Sequence, residues 1–533
     1  MTPSVASALK ERTESAQETQ EETTVMTARR PGRRAVMVSA VLTQLMIVLD
    51  LTIIAIALPH MQEDLGMTVS QSPWTVTGYS LAFGGLVLFG GRLCAVVGIR
   101  RSYQVGLIGF GVASLAAGMA TSFPILLVAR VAQGCFGALL APTSQSLLNV
   151  TFTERTERER VFAIFGATGG LGAAVGLLVG GALTDWLSWR WALYINILLA
   201  AAALLIGQRS LPPADQRDRG SRITDDLTGL VLGCGACFSA VYGLDRAQQT
   251  SWTSTSTVSW LALGGIAAVL FVVRERFASR PVLPLSMMAL PVRAASYATQ
   301  FVAGAAQMGA IIYLTYYMQN HFGYSPFKSG VVFLPMVLAL IATAIPAGRV
   351  IVPRLGARGT LPLGLAVLTG SFLIFSRMTT QSSYSQVALP GLIVFGIGLG
   401  LTMPVTFNSG TRGVDAKRTG LASAILSAAQ QIGGSFGVAL MTSYATQHAE
   451  DYVAEHSEEV RAAAMEAMMR AQALPQSPAG KQIIEALKAQ LVDRAQIEAY
   501  AGGFTMMAWI LAGAGAALVA CGIALSVRRR RTR

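Results

Sequence analysis

An all-α integral membrane fold with about fourteen transmembrane helices is what this sequence predicts, and three observations carry that prediction. The chain of 533 residues is 53% hydrophobic and only 13% charged, about half the charged fraction of a soluble domain. Apolar runs of about 20 residues, the length that takes a helix across the hydrocarbon core, recur along nearly the whole chain. The loops between them are alternately rich and poor in Lys and Arg, as loops on opposite sides of a membrane are.

The first 28 residues are polar, carry Glu11, Glu14, Glu18, Glu21 and Glu22, and have no apolar stretch ahead of Arg29. No cleavable signal peptide is therefore predicted, and residues 1–34 read as a disordered cytoplasmic arm. Six spans follow at 35–59, 74–94, 102–121, 124–148, 161–183 and 191–207, forming one bundle over 35–207. Spans 227–244 and 257–273 lie in a linking region, 208–293. A second bundle of six, over 294–527, has spans at 294–317, 329–348, 359–376, 387–408, 419–444 and 502–527, and a basic tail, 528–533, ends the chain.

With the N-terminus inside, the inside segments hold 29 basic residues, whereas the six short outside loops hold four, Arg190, Arg246, Lys328 and Arg377. Positive charge is retained on the cytoplasmic side, so both termini are predicted to be cytoplasmic. The net charge of +13 then lies mostly beside anionic headgroups, and no nucleic-acid partner is needed to explain it. Residues 445–500 are the one long outside loop. Two helix-like parts separated by Pro475 and Pro478, with nine acidic against five basic residues, make it a solvated outer cap.

Two charges interrupt the apolar runs. Asp50 is the acidic residue deep within a span, and Arg130 is its basic counterpart. An ionisable group in the bilayer costs at least about 2.5–3.5 kcal/mol at the helix centre and usually faces a polar pathway or a partner. Asp50 precedes Pro59 by nine residues on an outward-running span, and Arg130 lies about seven residues into an inward-running one. At a rise of about 1.5 Å per residue both lie some 10–14 Å below the outer boundary, so the two are predicted to pair. Burial favours the neutral acid and the guanidinium favours the carboxylate, so relative movement of the two helices would load and unload a proton. A purely structural ion pair is the alternative.

Other motifs carry no chemistry. Cys234 and Cys237 form a CxxC within an apolar run, and Cys94, Cys135 and Cys521 are likewise in or beside spans, so small-residue packing replaces a metal or redox reading. The stretch from Gly433 through Ser435 to Gly437 fits a nucleophile elbow formally, but it sits in a helix, and His60, His321, His448 and His456 fall in outer loops. A membrane enzyme is therefore not expected. No GxxxxGK[ST] phosphate loop is present, so energy must come from an ion gradient, and no cofactor is expected.

Longer motifs join these residues into a family pattern. Leu49, Asp50, Leu51 and Thr52 through Ala57, Leu58 and Pro59 resemble the first-span motif of the fourteen-span drug:proton antiporter branch of the major facilitator superfamily. Residues 126–138, with Arg130, Gln133, Gly134 and Gly137, resemble its fourth-span motif. Gly172, Gly176, Gly180 and Gly181 are similar to its fifth-span antiporter motif, with Leu177 where a proline is usual. Gly91, Arg92, Gly98, Arg100 and Arg101 resemble the cytoplasmic gating motif, in which Ala95 stands for the usual aspartate. A weaker copy runs through Gly348, Arg349, Gly356 and Arg358, as two parallel repeats would place it. Trp189, Arg190, Trp191, Tyr194 and Asn196 add local similarity.

The resemblance implies alternating-access export of small amphipathic or cationic drugs, antibiotics or metabolites in exchange for protons, with Asp50 and Arg130 in proton coupling. In that architecture Gln300, Gln307, Tyr313, Gln430 and Gln431 are the candidate substrate-binding residues. The expected partners are a small-molecule substrate, protons and the lipid bilayer, for a monomer in a bacterial cytoplasmic membrane. Only five of 41 basic residues are lysines, which points to a GC-rich genome. A transporter of lipids or an endogenous metabolite, and a membrane sensor using the outer loop, are the rival readings.

Overall fold

The computed structural model describes residues 30–67, 71, 74–211, 227–278, 290–414, 419–470 and 478–531, and fifteen α-helices lie among them. In chain order these are α1 (Arg30–Asp64), α2 (Trp74–Val97), α3 (Ile99–Gly118), α4 (Phe123–Thr151), α5 (Arg155–Trp186), α6 (Trp189–Gly207), α7 (Leu227–Gln249) and α8 (Thr255–Phe277). They continue as α9 (Pro291–Tyr316), α10 (Pro326–Val332), α11 (Leu334–Pro346), α12 (Val352–Phe375), α13 (Leu389–Thr411), α14 (Thr419–Arg470) and α15 (Pro478–Arg531). Each predicted span falls on a helix, the tenth on α10 and α11 together. Eleven stretches of the described residues are long and apolar enough to cross a membrane, and one of them, Phe327–Phe375, covers two predicted spans. Most of the expected N-terminal arm and two stretches of the linking region, 212–226 and 279–289, lie outside the described residues.

Helix packing follows one plan twice. In the first half α1 packs on α5 and α6, α4 on α2 and α3, and α3 on α6. In the second half α9 packs on α14 and α15, α13 on α11 and α12, and α12 on α15. Helices α7 and α8 pair with each other, and α7 lies against α2 and α14. The halves meet where α5 touches α10, α11 and α13, and where α14 touches α2 and α4.

The two basic turns also match. Gly98 joins α2 directly to α3 at φ 97°, and Gly356 occupies the equivalent turn at φ 66°, a backbone region that L side chains disfavour. The second motif copy has one more residue between its first and last glycine. A π turn at Ala347–Ile351 takes up that extra length.

The structure corrects the expected boundaries at the long outer loop. Its two helical parts are not separate elements but continuations of α14 and α15, 52 and 54 residues long. Nothing in the Ala- and Glu-rich sequence from 438 to 470 breaks a helix, so the spans run on into a projecting hairpin. His321 ties this hairpin to the end of the α9 region through Asp493, 3.1 Å away. A second clasp closes the same end of the first half. Arg190 pairs with Asp64 at 2.5 Å while the Trp189 indole donates to the same carboxylate, and these bonds hold Asp64 below the usual carboxylate range. Because that value is depressed on folding, the clasp's contribution is complete above the ordinary carboxylate range and fades only as pH falls through the lowered one.

The candidate coupling site and the seam between halves

Asp50 and Arg130 meet as the sequence predicts. Both side chains have no solvent exposure, and Arg130 Nη1 lies 2.6 Å from Asp50 Oδ2. Helix α1 carries the carboxylate and α4 the guanidinium, and each places its charge on the face turned into the first bundle. The surroundings were only partly legible in sequence. Asn196 of α6 donates to Asp50 Oδ1 at 2.6 Å, and Gln133, one turn beyond Arg130 on α4, donates to the same oxygen at 3.2 Å. Gln133 accepts from Arg130 Nη1 at 2.9 Å and donates to Ser114 of α3 at 2.7 Å. Arg130 Nε reaches the Thr75 carbonyl at 3.0 Å, and its guanidinium lies 4.6 Å from the centre of the Tyr79 ring.

The carboxylate thus accepts from three side chains drawn from two other helices, which answers the cost of burying a charge. Four buried atoms of these residues stay without a hydrogen-bond partner, Asn196 Oδ1, Arg130 Nη2, Thr75 Oγ1 and the Tyr79 hydroxyl. Lone polar residues at i and i+3 on an apolar helix were the available signal for Gln133, and a lone Asn in the sixth span was the signal for Asn196. Ser114 and Tyr79 gave none, because a serine or tyrosine in a span is ordinary packing.

The glycine motif of α5 bears on the same site. Gly172, Gly176 and Gly180 lie on the face against α1, and side chains there would meet Val48, overlap Thr52 Oγ1 and press on Ile53. The segment carrying Asp50 therefore rests directly on the α5 backbone, a small-residue contact of the kind that lets membrane helices approach closely. Gly181 is buried too, while the Leu177 side chain lies outside the described residues. Helix α5 also meets the second half. Phe165 packs edge-on to Phe407 of α13 at 6.1 Å, within a buried cluster that also holds Phe152, Phe162, Tyr297 and Leu426.

The five gating residues lie together at the α2–α3 turn, where Gly91 and Gly98 are buried and Arg101 is exposed. The substrate candidates are more scattered. Gln300 is fully buried on α9, accepting from Thr406 at 2.5 Å and donating to the Met403 sulfur at 3.4 Å. Gln307 is buried with Oε1 unpartnered. Tyr313 donates to Thr442 at 3.0 Å and packs on Tyr500, contacts internal to the second half. Gln430 and Gln431 are half-buried, and the Gln431 side chain reaches Gly84 of α2 across the halves. Two further charged residues near helix ends are buried as well, Glu275 and Arg293. Arg293 donates through Nε and Nη2 to the Arg412 carbonyl at 3.1 and 3.0 Å, satisfying a carbonyl at the C-terminal end of α13. The nucleophile-elbow decoy is helix packing, since Cβ atoms at Gly433 and Gly437 would strike the backbone of α9.

Comparison with known proteins gives one answer at every level. The sequence model of the Major Facilitator Superfamily matches residues 40–438. The puromycin resistance protein pur8 of Streptomyces alboniger is 40% identical over 78% of this chain and 82% of its own length. The cephamycin export protein CmcT of Amycolatopsis lactamdurans is 33% identical over 76% of this chain and 83% of its own. Among solved structures, the human organic anion transporter MFSD10 aligns with a TM-score of 0.58 at 14% identity, covering 90% of this chain and 99% of that one.

Proposed function

Since the chain belongs to the Major Facilitator Superfamily and is a multi-pass membrane transporter rather than an enzyme, we propose that it exports antibiotic-like amphipathic molecules from a bacterial cell in exchange for protons. The observation that carries this reading is the solvent-free carboxylate of Asp50, held by Arg130, Asn196 and Gln133. A carboxylate so placed is stable only while its three donors stay in register. If α4 shifts against α1, the guanidinium withdraws and the neutral acid becomes the better buried form. Asn196 then offers the acceptor that an acid O–H needs, because half a turn of its amide presents the unpartnered Oδ1.

Helix α5 is the mechanical link in this scheme. Its glycines bear on the Asp50 segment, and the same helix touches α10, α11 and α13 of the second half. Rocking of the halves would therefore be felt at Asp50 through the packing of α1 side chains on the α5 glycines, while the proton itself stays inside the first bundle. The division into bundles 35–207 and 294–527, joined by α7 and α8, supplies the two bodies that rock.

Names of relatives make puromycin the first substrate to test. Everted vesicles holding the protein should accumulate puromycin when acidified inside and lose the accumulation when a protonophore is added. Accumulation that ignores the protonophore would end the proton-exchange reading, and none at all in an energised vesicle would end export of this drug. Orientation is tested separately. The proposed cytoplasmic termini put the α14–α15 hairpin outside, so a cysteine at exposed Ala462, in a background without the native cysteines, should react with an impermeant maleimide in intact cells. Reaction only after lysis would invert the topology.

A further inference from the structure

We propose that Gln145 of α4, with Ser423 and Ser427 of α14, forms a substrate-recognition site for neutral hydrogen-bonding groups, such as an amide or a hydroxyl, at the basic end of the seam between the halves. The proposal rests on the exporter reading above and names the chemistry of one part of its pathway. Gln145 Nε2 donates to Ser427 Oγ at 3.2 Å, an inter-half bond between side chains that are 2% and 6% exposed. Its other polar atom, Oε1, has no partner, and neither has the hydroxyl of fully buried Ser423. Ser423 and Ser427 are four residues apart and so share one face of α14.

Helices α4 and α14 run in opposite senses here, so one turn beyond Gln145 comes Asn149, on the level of Ser423. Asn149 donates to the Gln145 carbonyl at 3.3 Å and accepts from Thr411 of α13 at 3.3 Å. These bonded groups are amides and hydroxyls, without a carboxylate among them. Around Gln145 the seam is thus closed by neutral groups that pair with one another incompletely, and a charged bond joins the halves at the same end, Arg158 of α5 donating to Asn408 of α13 at 3.1 Å. Fifteen residues separate Gln145 from Arg130 on α4, about 22 Å along the helix, so the site is distinct from the proton site.

Opening this end must pull α14 from α4 and break the Gln145–Ser427 bond. An amide donor, an amide acceptor and two hydroxyls are then left facing the gap with no internal partner. A buried polar group without a partner is unfavourable, so a ligand that supplies both a donor and an acceptor takes the place that the opposite half vacated. A ligand bearing only apolar surface and charge gains nothing from these groups. Selection here is by hydrogen-bonding pattern, and cationic charge is not what this site reads.

The test is puromycin export in everted vesicles, since that probe carries amide and hydroxyl groups. Gln145→Met keeps the side-chain length while removing donor and acceptor, and it should raise KM about tenfold with kcat within twofold. Ser423→Ala should raise KM about threefold, and Gln145→Glu, which keeps an acceptor, should stay nearer wild type than Gln145→Met. A fall in kcat with KM unchanged would make the seam a gate alone and overturn the proposal, as would unchanged kinetics in both Gln145→Met and Ser423→Ala. Absence of puromycin export by the wild type would end the reading of puromycin as substrate, and the site argued for it.

Discussion

Replacing Asp50 by Asn is expected to lower proton-driven export at least about a hundredfold while leaving the protein inserted and folded. Asn keeps the size of the side chain and an oxygen that can accept from Arg130, so the network around it loses a charge but not its shape. What it cannot do is take up and release a proton. Binding of substrate should persist, and detergent-solubilised protein that releases protons when puromycin is added should cease to do so in the variant. Export at wild-type rate by Asp50→Asn, at equal expression, would leave the buried pair a structural tie between α1 and α4.

The second large effect concerns stability. Arg130→Met is expected to cost about 3–5 kcal/mol, the usual penalty when one member of a buried ion pair is removed and the other charge remains. Met restores most of the volume, so the loss reports charge and hydrogen bonding rather than a cavity. Adding Asp50→Asn should then recover a large part of that stability, because the orphaned carboxylate is gone and Asn196 and Gln133 still find a neutral partner. Unfolding of the two single variants and the double variant in detergent measures the coupling as a double-mutant cycle. A double variant no more stable than Arg130→Met would mean that the two side chains contribute independently, against the 2.6 Å contact. Export is expected to be lost in all three.

The substrate candidates divide along similar lines. Gln300 and Tyr313 are bonded within the second half, whereas Gln431 lies across from α2 and Gln307 keeps an unpartnered oxygen. Polarity in a span marked all of them equally. Which of these polar atoms is spare depends on whether a neighbour such as Thr406 or Thr442 happens to face it, and that is a property of helix rotation and packing.

The sequence by itself determined the membrane fold, the helices and the residues that pair. Apolar runs of bilayer length leave the backbone no alternative to helix in lipid, and a lone acid and a lone base at equal depth have little choice but each other. It also showed Gly172, Gly176 and Gly180 as a stripe of glycines one helical turn apart. Only the tertiary structure decided what that stripe packs on, namely the turn of α1 that carries Asp50, because the contact joins residues more than 120 positions apart. The same holds for Asn196 at the carboxylate and for Gln145 opposite Ser427, 282 residues away. Local pattern fixes each helix and its apolar length, since those depend on neighbours in sequence. Partners across helices depend on the rotation and depth of each helix, which the packing of all the others sets at once.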